Sequence, residues 1–249
     1  MLSDAELDRY ARQIILPAFG GAGQAKLKAA HVAVIGAGGI GCPAITYLAA
    51  AGVGRLTIID DDVVELSNLQ RQPLFTDADI GAGKAEVAAD AARRINPHVE
   101  AAAVSNRLDE ANATTLLTNA DLILDGCDNF ATRLTVNRAA VTLQTSLLSA
   151  AIGAFEGQVA LYQGWRADSP CYACLVGDDP DRPGINCAET GVMGALAGMI
   201  GTMAALEAVR ALTGWGSALT GRLAIIDMLD RRWREVAVPK DPECPICGG

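Results

Sequence analysis

The chain has 249 residues, 51% hydrophobic and 20% charged. That is enough apolar side chain for a sizeable core, which excludes a disordered or fibrous protein and fits one α/β domain with appendages better than two independent domains. A net charge of -9 provides no basic surface for polynucleotide phosphates or anionic lipid, so no nucleic-acid partner is expected.

Met1-Leu2-Ser3-Asp4-Ala5-Glu6 lacks the basic and apolar regions of a signal peptide, which points to a cytoplasmic location. Ser3 and Glu6 then form a capping-box pattern, and Leu7, Tyr10, Ile14 and Ile15 recur at helical spacing. A helix over 3–16 is expected. His31-Val32-Ala33-Val34-Ile35 reads as a strand running into a glycine cluster, 40–51 as a helix, and Arg55-Leu56-Thr57-Ile58-Ile59 as the next strand. This is a βαβ unit. Helices near 84–95, 110–117 and 133–143 alternate with strands at 99–105 and 122–125, a doubly wound pattern. Beyond Ser146 the texture changes. Strands at 147–152 and 158–162, joined by Gly153 and Gly157, read as additions to the same sheet, and 164–190 reads as a long functional loop. The stretch 191–206 is apolar but shorter than a bilayer span, studded with Gly and Thr and closed by Glu207. It is expected to be a buried helix, with no membrane span.

Gly36-Ala37-Gly38-Gly39-Ile40-Gly41 matches G-x-G-x-x-G between a strand and a helix, where free backbone N–H groups meet a phosphate. Asp60 ends the second strand where an acid bonds ribose hydroxyls. Alone, this pair suggests NAD. The following loop carries Asn68, Gln70 and Arg71, with Lys84 at a helix start. These cations suit a triphosphate, whose charge builds in the transition state; the plainer alternative is solvated ion pairs with the abundant aspartates. Asp128, past the fourth strand, is a candidate magnesium ligand or, equally, the N-cap of the next helix.

Cys171-Tyr172-Ala173-Cys174 and Cys244-Pro245-Ile246-Cys247 are two C-x-x-C pairs. Four thiolates complete a closed structural zinc site, here fastening the C-terminal tail to the loop near residue 171. Redox pairs are disfavoured, because neither pair is expected to open a helix. Cys42 and Cys127 read as small apolar residues. Cys187, in a loop before a helix, is the one candidate nucleophile.

Taken together, Arg9-Tyr10-Ala11-Arg12-Gln13-Ile14, Gly36 to Gly41, Ser67-Asn68-Leu69-Gln70-Arg71-Gln72, Lys84, Asp128-Asn129 and both C-x-x-C pairs resemble the MoeB/ThiF-type activating enzymes, relatives of the ubiquitin-activating enzymes. The resemblance spans nearly the whole chain. It implies one adenylation domain over 1–249: an N-terminal helix, a Rossmann-like nucleotide-binding core over 30–150 with a mostly parallel sheet, and a zinc-tethered loop with added C-terminal antiparallel strands over 151–249. The implied reaction is attack of a carrier's C-terminal glycine carboxylate on the α-phosphate of Mg-ATP, giving acyl-adenylate and pyrophosphate. The implied partners are a small ubiquitin-like sulfur carrier ending in Gly-Gly, of the molybdopterin or thiamin type, and a sulfur-donor enzyme. In this pattern Asp60 binds ribose, Asn68, Arg71 and Lys84 hold phosphates, and Asp128 holds Mg²⁺. Gln72 and Asn129 join the nucleotide-binding set, and Arg12 reaches the triphosphate from the other subunit of a homodimer. Cys187 falls near a cysteine that some members link covalently to the carrier. Two rival readings remain at this stage: an NAD-dependent oxidoreductase and a non-catalytic nucleotide-binding scaffold.

Overall fold

The computed structural model describes residues 1–180 and 191–248. Helices α1 (Asp4–Ile14) and α2 (Gly20–Ala29) precede strand β1 (His31–Ile35). Helix α3 (Gly41–Ala51) leads to β2 (Arg55–Ile59), α4 (Lys84–Ile95) to β3 (Glu100–Val104), α5 (Ala113–Leu117) to β4 (Leu122–Asp125) and α6 (Phe130–Leu143) to β5 (Ser146–Gly153). Then follow β6 (Glu156–Tyr162), the short helix α7 (Tyr172–Val176), α8 (Gly194–Thr213), β7 (Arg222–Asp227) and β8 (Arg232–Ala237).

The described strands form one sheet of eight in the order β3-β2-β1-β4-β5-β6-β7-β8. The first five are parallel and the last three join antiparallel. The apolar run of β1 dictates its central place: all five residues are buried, with Val34 facing Ile58 on one side and Leu124 on the other. Alternate side chains feed two cores, as the pleat requires. Val32 and Val34 pack with α3, α4 and α8, while Ala33 and Ile35 pack with α5, α6 and α7. The sheet is therefore covered on both faces over its parallel half. The order reverses between β1 and β4, which opens a crevice beyond their carboxyl ends.

The Ser3/Glu6 capping box forms as expected. The structure departs from the sequence reading at identifiable places. Helix α2 went unread because Gly20, Gly21 and Gly23 mask it, although Leu27 on it is fully buried. Helix α5 starts late, because the Asp109 carboxylate accepts the N–H groups of Ala111 and Asn112 and holds 109–112 in a turn. Helix α7 lies within the segment read as loop. The hairpin turn sits at Ala154 and Phe155, and Gly157 lies inside β6 opposite Ile152.

The apolar helix is longer than expected. It runs 20 residues to Thr213 and is the one described helix long and apolar enough to cross a membrane, with a mean hydropathy of 1.4. Glu207 does not end it, because the carboxylate turns inward and meets the Arg210 guanidinium at 3.3 Å. Leu196, Ile200, Ala204 and Ala208 on this helix belong to the core shared with α3 and α4.

Candidate active site

A cavity of about 860 Å³ occupies the crevice between the ends of β1 and β4, a size suited to a nucleotide. Its floor is the glycine turn. Gly36 adopts φ +84, a left-handed conformation that glycine alone takes without strain. A Cβ on Gly41 would stand 1.9 Å from the Gly36 carbonyl, so only glycine lets the helix approach the strand. Helix α3 starts with no side chain bonded to its cap. The Cys42 N–H bonds the Gly38 carbonyl at 2.9 Å and Pro43 has none, so the backbone that meets the cavity is that of the turn itself, at Gly36, Gly38, Gly39 and Ile40.

Gly36, Gly38, Gly39, Asp60, Asn68, Arg71, Gln72, Lys84, Asp128 and Asn129 all line this cavity. They come from five separate segments of chain, brought together by the sheet. Asp60 is fixed by the N–H groups of Ala37 at 2.7 Å and Asp62 at 2.9 Å, and burial raises its pKa. Asn68 Oδ1 and Gln72 Oε1 are buried with no hydrogen-bond partner among the described residues. Two orphaned acceptors in one cavity mark a place built for a polar ligand.

Lys84 is buried and pairs with Asp62 at 2.9 Å. Arg71 donates to the Ser67 carbonyl at 3.0 Å and makes no ion pair among the described residues. The solvated-pair alternative therefore fails for Arg71 and holds for Lys84 only at its outer partner. The N-cap alternative for Asp128 is settled by its neighbour: Asn129 caps α6, accepting the Thr132 N–H at 2.9 Å. Asp128 is left exposed at the cavity rim. Arg12 lies exposed on α1 and does not line the cavity. Cys187 lies outside the described residues.

The four cysteines of the two C-x-x-C pairs converge. Sulfur separations are 3.7 Å for Cys171–Cys244, 4.0 Å for Cys171–Cys174 and 3.4 Å for Cys174–Cys247. Tetrahedral ligation at about 2.3 Å per bond places sulfurs about 3.8 Å apart, so the set fits zinc with no open position. One expectation is corrected: Cys171 is the N-cap of α7, so this pair does open a helix. The redox reading still fails, because all four sulfurs lie within 4.8 Å of one another.

Cys42 is fully buried, its thiol donates to the Ala37 carbonyl, and burial pushes its pKa up to about 12. Burial also raises Cys127. Neither is a nucleophile. Sequence reading missed Arg133 and Tyr172, which line the inner wall of the cavity. The available signal was a basic residue at a helix start, four positions after Asn129 and facing apolar neighbours.

The ThiF family pattern matches residues 10–246. The chain belongs to the ThiF family. Among its relatives, the sulfur carrier protein adenylyltransferase of Thermus thermophilus is 46% identical over 248 residues, covering 98% of this chain and 91% of that one. The molybdopterin-synthase adenylyltransferase of Salmonella typhimurium is 43% identical, covering 99% and 98%. Among solved structures, Escherichia coli MccB with ATP superposes with a TM-score of 0.84 at 23% identity, covering 97% of this chain and 75% of that one. At that identity the likeness establishes the shared ThiF fold: a mostly parallel α/β sheet extended by antiparallel strands.

Proposed function

We propose that this chain is one adenylation domain that joins AMP to the C-terminal glycine carboxylate of a small ubiquitin-like, double-glycine sulfur carrier. The observation that carries the reading is the composition of the cavity. It combines the glycine turn, the ribose-type acid Asp60, the cations Arg71 and Lys84, and an exposed Asp128. The named activities of the Thermus and Salmonella relatives supply the acceptor class.

The chemistry follows from these residues. A carboxylate nucleophile is already ionised at neutral pH, so no general base is needed, and among the described residues no histidine lines the cavity. Asp60 orients the ribose. The amide nitrogens of Asn68 and Gln72 and the N–H groups of the glycine turn donate to the phosphates, while Arg71 and Lys84 offset the charge that gathers on them. Asn129 contributes by holding the loop that bears Asp128. Asp128 would hold Mg²⁺, which when bound supplies further charge stabilisation on the phosphoryl oxygens. The four cysteines would hold zinc, whose role with a filled shell is structural.

Arg12 completes the phosphate contacts from a second copy of the chain. Beside it Leu7, Ile15 and Leu16 are exposed at 45%, 67% and 54%, an apolar face that a homodimer covers. A sulfur donor then displaces AMP from the activated carrier. The oxidoreductase reading is not favoured, because the cavity places two cations where a dinucleotide needs fewer.

The test is intact-mass analysis of purified carriers incubated with the protein and Mg-ATP. One double-glycine carrier is expected to gain AMP, and the same carrier lacking its last glycine to gain none. No AMP on any carrier would overturn the proposal.

A further inference from the structure

Arg133 and Asn137 lie one turn apart on α6 and contact two different sites. Asn137 faces the cysteine cluster: its Oδ1 accepts the Tyr172 N–H at 2.9 Å and its Nδ2 donates to Cys171 Sγ at 3.4 Å. Arg133 faces the cavity. Its Nη1 donates to Ser149 Oγ at 3.2 Å, and its Nη2 donates to the carbonyls of Ala150, at 2.8 Å, and Cys127. Tyr172 joins the two ends, because it follows Cys171 in the chain and its ring centroid lies 6.0 Å from the Arg133 Cζ. Tyr162 braces that ring edge-on at 5.9 Å.

The residue gripped at the far end is Cys127, immediately before Asp128. Its N–H donates to the Asp125 carboxylate at 3.0 Å and its carbonyl accepts from Arg133. Both flanking groups are buried, at 1% exposure for Asp125 and 7% for Arg133. The backbone leading into Asp128 is thus clamped on both sides. A planar guanidinium can span two carbonyls and a hydroxyl while stacking on a ring; a lysine ammonium cannot.

We infer that Arg133 and Tyr172 are positioning residues that tie the cysteine cluster to Asp128, so that the metal-stapled tail sets the magnesium-dependent part of nucleotide binding. This rests on the nucleotide reading proposed above. Arg133 acts through the Cys127 carbonyl, and Tyr172 acts through Arg133.

The test compares the wild-type full chain with Tyr172→Leu and Arg133→Lys. Calorimetric binding of a non-hydrolysable ATP analogue, with and without added Mg²⁺, is measured beside binding of AMP and the zinc content. Each variant should retain zinc and AMP affinity and lose about tenfold in Mg²⁺-dependent analogue affinity, the scale of a desolvated cation–π contact. Tyr172→Phe, which keeps the ring but loses the hydroxyl that faces Arg133, should fall between wild type and Tyr172→Leu. Arg133→Lys preserves the buried charge and serves if Tyr172→Leu does not fold. Equal losses for AMP and the analogue, or no loss in either variant, would overturn the inference while leaving the nucleotide reading intact. A wild-type chain that binds the analogue without regard to Mg²⁺ would overturn the inference alone, and one that binds neither the analogue nor AMP would overturn both.

Discussion

Lys84 and Asp62 form a lopsided ion pair: the atoms are 2.9 Å apart, with the lysine side chain 7% exposed and the aspartate 70%. An exposed carboxylate remains hydrated when its partner is removed, so the pair adds little to stability. On the proposed function the buried ammonium serves the phosphates instead. Lys84→Met is expected to lower adenylation by about 100- to 1000-fold while shifting the melting midpoint by no more than about 4 °C. Pyrophosphate release and differential scanning fluorimetry measure the two effects. A variant that melts early yet turns over normally would return Lys84 to a structural role.

The cysteine cluster makes a prediction of the opposite kind. With sulfurs 3.4–4.0 Å apart, removing one ligand leaves three thiolates and an incomplete shell. Cys244→Ser should lose bound zinc and several kcal/mol of stability, a fall of about 10 °C in melting midpoint. Elemental analysis with thermal melting tests this, and retention of one zinc per chain would argue against the four-sulfur site.

Gly41 is set by distance: a Cβ there falls 1.9 Å from the Gly36 carbonyl. Gly41→Ala must push α3 away from β1, at about 1–3 kcal/mol. ATP binding should fall at least tenfold, because the cavity-lining turn before that helix moves with it. Unchanged binding in a titration would show that the turn does not hold phosphate.

Glu6 provides the pH dependence. The Lys28 ammonium 2.7 Å away, with the Ser3 N–H, holds its carboxyl at about 2, below the ordinary 4.5. The folded chain therefore binds this proton more weakly than the unfolded chain. The contribution is complete above pH 4.5 and is lost as pH falls toward 2. Denaturant melts across this window should give a shallower acid slope for Glu6→Gln than for wild type. Parallel slopes would exclude the Ser3–Glu6–Lys28 network as an acid-labile anchor of α1.

How much of this was legible in sequence depends on how local each signal is. Strands β1, β2 and β4 were readable to the residue, because uninterrupted apolar runs such as His31–Ile35 meet glycine or aspartate at their ends. The residues that line the cavity were also readable, since a turn, a strand-end acid and a cation after a loop each have a fixed chemical reason. The ends of α5 and α8 were not. Asp109 bonding forward into its own turn, and Glu207 turning inward to Arg210, are outcomes of tertiary competition that spacing does not encode. Arg133 was missed for the same reason: its contacts on Cys127, Ser149 and Ala150 reach two other segments, the loop after β4 and strand β5. The choice between Asp128 and Asn129 as helix cap became clear only once the Asn129 side chain was seen on the Thr132 N–H.

The most direct measurement is ATP–pyrophosphate exchange by the purified chain with Mg²⁺ and each candidate double-glycine carrier, beside an Asp128→Ala control. Because Asn129 rather than Asp128 caps α6, the control should fold and melt like wild type. The account predicts exchange with one carrier and its loss by at least about 100-fold in the control. Exchange that persists in Asp128→Ala, or none with any carrier despite bound ATP and an intact cysteine cluster, would contradict it.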